Sequence, residues 1–242
     1  MAISRFKTST LAQGLPKYQD FWDQSTVYGI PTSGLVAKYE TPPSSGSTWV
    51  DTVGSYNLAL SGTTYSSSNG GVLTMGNGIT SSFPDFNLGT DFTISIWVKP
   101  TALSGTSYST SYPFVGINDG GNTSTFLATL GTSGNIYING YGVPGTDVTG
   151  TGISTNNWYL ITIGMNSSAT ASSTLNINGV TKSTSITGFD VSKTGNLSIG
   201  YVTSLNTNNF QGQIGSVYVW NRKITQAEAN RVWDYSRGRF GL

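Results

Sequence analysis

Residues 92–99, Phe-Thr-Ile-Ser-Ile-Trp-Val-Lys, constrain the fold more than any other stretch of this chain. The apolar side chains at Phe92, Ile94, Ile96 and Val98 recur every second residue, and only an extended strand places such positions on one face. A second run does the same: in Trp158–Met165, the residues Tyr159, Ile161, Ile163 and Met165 alternate with the rest. Further short candidates include Leu35–Tyr39, Tyr56–Leu60, Gly71–Met75, Phe114–Ile117, Phe126–Leu130, Ile136–Ile138, Thr174–Ile177, Leu197–Tyr201 and Phe210–Trp220, separated by Gly, Pro, Asn and Ser clusters. Many short strands punctuated by turn residues predict an all-β, antiparallel β-sandwich or barrel rather than βαβ units.

The turns carry their own chemistry. Asn178-Gly179 suits the two positive-φ positions of a type I′ turn and predicts a hairpin. Asn139-Gly140 is a weaker second candidate. Helical signals are confined to the end of the chain. Thr225-Gln-Ala-Glu228 reads as a capping box, with the Thr hydroxyl accepting from the third backbone N–H and the Glu carboxylate reaching back to the cap. Ala229, Val232 and Trp233 then share a face, and Gly238 is the expected helix stop. One short amphipathic helix therefore closes the domain.

Residues 1–30 differ from everything after them. They hold Phe6, Leu11, Leu15, Pro16, Tyr18, Phe21, Trp22 and Tyr28 without strand or helix period. A chain of 242 residues fills a core without such an arm, so the arm is expected to cover a partner. The expected division is a docking arm (1–30), a β domain (31–238) and a basic, aromatic tail (239–242). Charge is uneven: residues 1–30 carry net +1, residues 31–220 net −3, and residues 221–242 net +3. The basic end lacks recognition motifs for nucleic acid. No apolar stretch of secretory-signal or membrane-spanning length occurs, so synthesis in a cytoplasm and no membrane partner are expected.

The absent residue types narrow the chemistry. The chain has no cysteine, hence no disulfide or thiolate metal site, and no histidine, the commonest general base and metal ligand. Glu40 and Glu228 are its only glutamates.

Strand order and the closing helix resemble the laminin-G / concanavalin A-like jelly-roll superfamily. Gly34–Tyr39 looks like its opening strand, Trp49–Leu60 like its Asp-Gly-Asn loop and second strand, and Asp91–Pro100 like its most recognisable strand. Asn157-Trp158-Tyr159, Leu175–Gly179 and Phe210–Arg222 with Thr225–Glu228 resemble later pieces, in the same order. The resemblance spans about residues 33–236. It implies a concanavalin A-like sandwich with one short C-terminal helix behind an irregular arm. Separately, Met1–Phe6 with Gln13–Tyr18 and Phe21–Asp23 resembles the leader of virion structural proteins of tailed phages, especially cyanophage-type ones. That resemblance implies a docking segment with an interchangeable head.

These resemblances frame the site expectations. Jelly-roll glucanases pair closely spaced carboxyls on one strand, about 5–5.5 Å apart when retaining, and no such cluster occurs here. A non-enzymatic virion protein is expected, docking through Arg5, Phe6, Lys7, Leu15, Pro16, Tyr18, Phe21 and Trp22 on capsid, neck or tail proteins, with the basic tail adding charge. The alternative is a host-recognition lectin of a fibre or capsid surface. Aromatic residues in polar loops then supply the sugar platform: Tyr108 and Tyr112, Tyr141, and Tyr201 with Asn206. Calcium, which some laminin-G domains bind, would use Asp51 or Asp119. A hard cation wants six to eight oxygens and each loop offers one carboxylate, so turns are expected there and no cofactor. A homo-oligomer is left open, as no heptad or repeat sets one.

Overall fold

The computed structural model describes residues 29–75, 88–89, 91–118, 124–140, 143–166, 173–187, 195–202 and 209–242. The arm, Asp119, Tyr141 and Asn206 lie outside the described residues, apart from Gly29 and Ile30.

Fifteen strands occur among the described residues: β1 (Leu35–Tyr39), β2 (Thr48–Trp49), β3 (Leu58–Ala59), β4 (Thr63–Ser66), β5 (Val72–Met75), β6 (Asp91–Pro100), β7 (Tyr112–Asn118), β8 (Ser124–Leu130), β9 (Ile136–Gly140), β10 (Val143–Val148), β11 (Tyr159–Asn166), β12 (Thr174–Ile177), β13 (Val180–Ser183), β14 (Asn196–Ile199) and β15 (Gly212–Trp220). Helix α1 (Gln226–Ser236) and a 3-10 helix (Arg237–Phe240) follow. An eight-stranded antiparallel sheet has the order β13-β12-β11-β6-β15-β5-β4, with β1 also pairing β15. A five-stranded sheet runs β10-β9-β8-β7-β14, and β2–β3 form a small ribbon. The architecture is the expected concanavalin A-like sandwich.

Register carries the alternation into the core. β6 pairs β11 with Phe92 opposite Met165 and Ile96 opposite Ile161. These inward residues meet Phe114, Phe126, Ile136 and Ile138 of the second sheet in one buried cluster. Phe92 and Phe126 pack edge to face at 5.2 Å between ring centres, the favoured aromatic geometry. The remaining side chains of β6 point outward, and Trp97 is fully buried there.

A second apolar layer covers that outer face. Trp97, Leu160, Tyr218 and Trp220 from the sheet meet Ala229, Val232 and Phe240 from the C-terminal segment, with Ile30 and Trp233 packed at the margin. Trp97 stacks on Trp233 at 5.5 Å and on Phe240 at 4.1 Å. Gly215 permits this approach: a Cβ there would lie 2.5 Å from the Phe240 ring. The capping box forms as expected, since Thr225 Oγ1 accepts from the Glu228 N–H at 3.2 Å and Glu228 Oε2 accepts from the Thr225 N–H at 2.8 Å.

The turn chemistry is correct at one hairpin and shifted at the other. Asn178 and Gly179 take φ values of 53° and 78°, closing β12–β13 with Ile177 opposite Val180. Asn139-Gly140, in contrast, stays within β9, because Gly140 pairs Val143 and leaves residues 141–142 to connect the strands. Gly238 does not stop the helix either. The chain tightens into the 3-10 helix, and Gly241 takes the left-handed position at φ 77°. The boundary drawn at 238/239 falls inside this packed element, whose Phe240 is buried.

Candidate functional site

Strand lengths and register bring the predicted loops to one end of the sandwich. β6 ends at Pro100, whose carbonyl accepts the Asn156 N–H at 2.7 Å, and the next residue, Thr101, donates to Gln211 O at 2.9 Å. The 101–111 loop is tied to the turn after β8 by Thr132 N–H donating to Gly105 O at 2.8 Å. Thr151 Oγ1 donates to Gly134 O at 2.6 Å, adding the segment before β11. Gly200, after β14, donates to Phe114 O at 3.0 Å and accepts from the Phe210 N–H at 2.8 Å. Segments 101–111, 131–135, 151–157 and 200–211 are thus hydrogen-bonded neighbours where described.

Tyr108 sits on a hydroxyl-rich turn and is 44% exposed. Ser107 Oγ lies 3.1 Å from Ser109 Oγ and 3.0 Å from Thr110 Oγ1, which also accepts the Thr106 and Ser107 N–H groups. Tyr112 and Tyr201 occupy the same end but are half-buried, and Tyr112 packs against the main core. Tyr159 turns its hydroxyl to the loop, accepting the Ser154 N–H at 3.1 Å. The turn thus presents an exposed phenol beside hydroxyls that bond one another and the main chain. Sequence reasoning named these loops but missed the 132–134 turn, where Ser133 takes φ 61°. Its Gly131-Thr-Ser-Gly134 composition reads only as a connection, and no local signal gives its contact with Gly105.

Asp51 is engaged by the main chain. Its carboxylate is buried and accepts backbone N–H groups from Lys38 and Val53 at Oδ1 and from Gly54 and Tyr56 at Oδ2. These bonds knit the 51–56 loop to β1. Among the described residues no group of three or more His, Cys, Asp or Glu side chains could hold a metal ion.

The basic end is also engaged within the fold. Arg222 grips Glu228 with two N–H groups, at 2.9 and 2.5 Å. That bond is the main reason the Glu228 carboxyl is held down at about 2. Arg237 pairs with Asp234 at 3.5 Å, and Arg239 turns inward to main-chain carbonyls. The expected free basic tail is therefore reduced by internal pairing. No helix among the described residues is long and apolar enough to cross a membrane.

Comparison with known proteins agrees with this architecture. A family model described as the concanavalin A-like lectin/glucanases superfamily matches residues 68–230. No curated protein matches the chain. Among solved structures, Trypanosoma rangeli sialidase in complex with sialic acid is similar with a TM-score of 0.68 at 15% identity, over 87% of this chain and 34% of that one. The chain thus spans about a third of the length of the sialidases it matches. Domain 4 of the arabinanase AbnA from Geobacillus stearothermophilus, in complex with arabinotriose, has a TM-score of 0.60 at 17% identity, over 84% of this chain and 98% of that one. The binding domain of Paraclostridial Mosquitocidal Protein 1 has a TM-score of 0.58 at 18% identity, over 83% and 52%.

These neighbours correct one expectation. Missing histidine and scattered carboxylates led to a non-enzymatic protein, yet the similar structures include sialidases, so the fold occurs within glycan-cleaving enzymes. Exclusion of an enzyme from composition does not stand. At these identities the likeness shows the fold alone and assigns no activity to this chain.

Proposed function

The chain belongs to the concanavalin A-like lectin/glucanase superfamily, and on that premise we propose that it is a structural virion protein of a tailed phage, displaying a lectin-like head through its N-terminal arm. The observation that carries this reading is the place where the chain enters the fold. Ile30 packs on the outer layer of the eight-stranded sheet, and Trp220 Nε1 donates to Pro31 O at 2.7 Å. The C-terminal helix packs on the same face, so Ile30 and the C-terminal segment lie together on the helix-covered side of that sheet. Arm residues Phe6, Leu15, Pro16, Tyr18, Phe21 and Trp22 would bury apolar surface on a capsid, neck or tail protein, with Arg5 and Lys7 setting charge complementarity. Deleting residues 2–24 should leave a folded head that no longer joins particles; normal incorporation of the truncated protein would overturn the proposal.

A second reading is favoured by the gathered loops: the head is a host-recognition lectin. Exposed Tyr108 on the hydroxyl-rich Ser107–Thr110 turn supports it, as does the arabinotriose held by the similar arabinanase domain. On a glycan array the full chain should then bind a defined set of saccharides, and Tyr108→Ala should abolish the signal. Binding to no host glycan, or binding untouched by that substitution, would sink the lectin reading and leave the display role standing.

A further inference from the structure

A cavity of about 330 Å³ opens on the helix-covered side, between the start of the 40–41 segment, β15 and the end of α1. Glu40, Ser216, Tyr218, Tyr235 and Arg239 line it. Glu40 Oε1 accepts from the Tyr235 hydroxyl at 3.2 Å and lies 3.5 Å from that of Tyr218, while Oε2 faces Lys38 Nζ at 3.1 Å. A carboxylate offers four lone-pair positions, so these contacts leave acceptor capacity over. Arg239 donates from Nε to Asn69 O, from Nη1 to Glu40 O and Ser216 Oγ, and from Nη2 to Gly71 O. A guanidinium carries five N–H groups, and the remaining one is on Nη2.

Charge restricts the ligand class. Lys38 and Arg239 flank the carboxylate, which disfavours a cation, and both bases are already engaged, Lys38 by Glu40 and Arg239 by main-chain carbonyls, so a neutral polar ligand fits best. Burial raises both Tyr218 and Tyr235 above the usual phenol range, so each remains a neutral hydroxyl. The fixed groups thus present one strong acceptor and one strong donor beside an aromatic ring, Tyr235, that is 48% exposed. The volume lies at the small end of ligand sites, enough for one ring rather than a chain.

We propose that this cavity binds a neutral monosaccharide ring, free or at the end of a glycan. One ring hydroxyl would donate to Glu40, its neighbour would accept from Arg239 Nη2, and the ring would lie against Tyr235. The site shares no lining residue with the 101–111 loop and stands whether or not that loop binds sugar.

The test is an NMR titration of the isotope-labelled full chain with the methyl glycosides of glucose, galactose and arabinose, beside glucuronate and glucosamine as charged probes. At least one neutral glycoside should give saturable shifts at Thr41, Gly70 and Tyr235. Glu40→Gln keeps the main-chain carbonyl that holds Arg239 and should weaken binding about tenfold. Tyr235→Ala, at a half-exposed ring, should do the same. The proposal is overturned by the absence of saturable shifts at these residues, by preference for a charged probe, or by equal affinity in Glu40→Gln and Tyr235→Ala. Shifts confined to residues 105–111 would overturn it while supporting the loop-end reading.

Discussion

The two faces of the eight-stranded sheet are both buried, but different kinds of contact bury them. The inner face is filled by aliphatic and Phe side chains, Phe92, Ile94, Ile96, Ile161 and Ile163 among them, against a second sheet. On the outer face, Trp97, Trp158, Tyr218 and Trp220 lie under one short helix, each ring carrying a polar group that needs a partner. Trp97 Nε1 donates to Ser236 Oγ, Trp158 Nε1 to Asn69 Oδ1 and Trp220 Nε1 to Pro31 O. The inner layer is held by area removed from water, whereas the outer one adds directional bonds that fix where the helix and the chain entry must sit.

The largest effect that would sharpen this contrast is Phe92→Ala. It removes a fully buried ring and its edge-to-face contact with Phe126, and should cost about 3–5 kcal/mol. Urea unfolding should show a lower midpoint with an unchanged slope, since both layers belong to one cooperative unit. A change in slope would mean that the layers unfold separately.

Trp97→Phe should have a smaller and more local effect. It removes the bond to Ser236 and part of the stack on Trp233 and Phe240, costing about 1–3 kcal/mol. Hydrogen exchange should quicken over residues 226–240 while the amides of β6 and β11 keep their protection. Uniform loss of protection across the sheet would break the distinction between the two faces.

The same contrast explains what the sequence made legible. Alternation in β6 and β11 marked the inner face, because the strand period and the burial coincide there. Asn178-Gly179 and the Thr225–Glu228 box were legible because each is a local device satisfied within four residues. β4 and β10 were not: Thr63–Ser66 has one large side chain, and Val143–Val148 contains Pro144 and Gly145. Their pairing comes from neighbouring strands rather than from their own pattern. The gathering of Gly105, Thr132 and Gln211 at one end follows from register between distant strands. The Glu40–Arg239 cavity joins residues 199 apart in sequence, and Arg239 read only as a tail charge.

The smallest effect concerns the helix start, where charge rather than area decides. Glu228 holds the capping box and the Arg222 pair together, and its carboxyl is depressed from 4.5 to about 2, chiefly by the Arg222 hydrogen bonds. A depressed folded value means that the ionised form is favoured in the fold. Its contribution is therefore complete above the unfolded value and is lost as pH falls from about 4.5 through about 2. The pair is partly open to solvent, which screens it, so Glu228→Gln should cost only about 1 kcal/mol at neutral pH. The wild-type advantage over Glu228→Gln, measured by urea unfolding at steps between pH 7 and pH 2, should shrink through that window. An advantage that persists unchanged at pH 2 would mean that shape, not charge, seats the helix on the outer face.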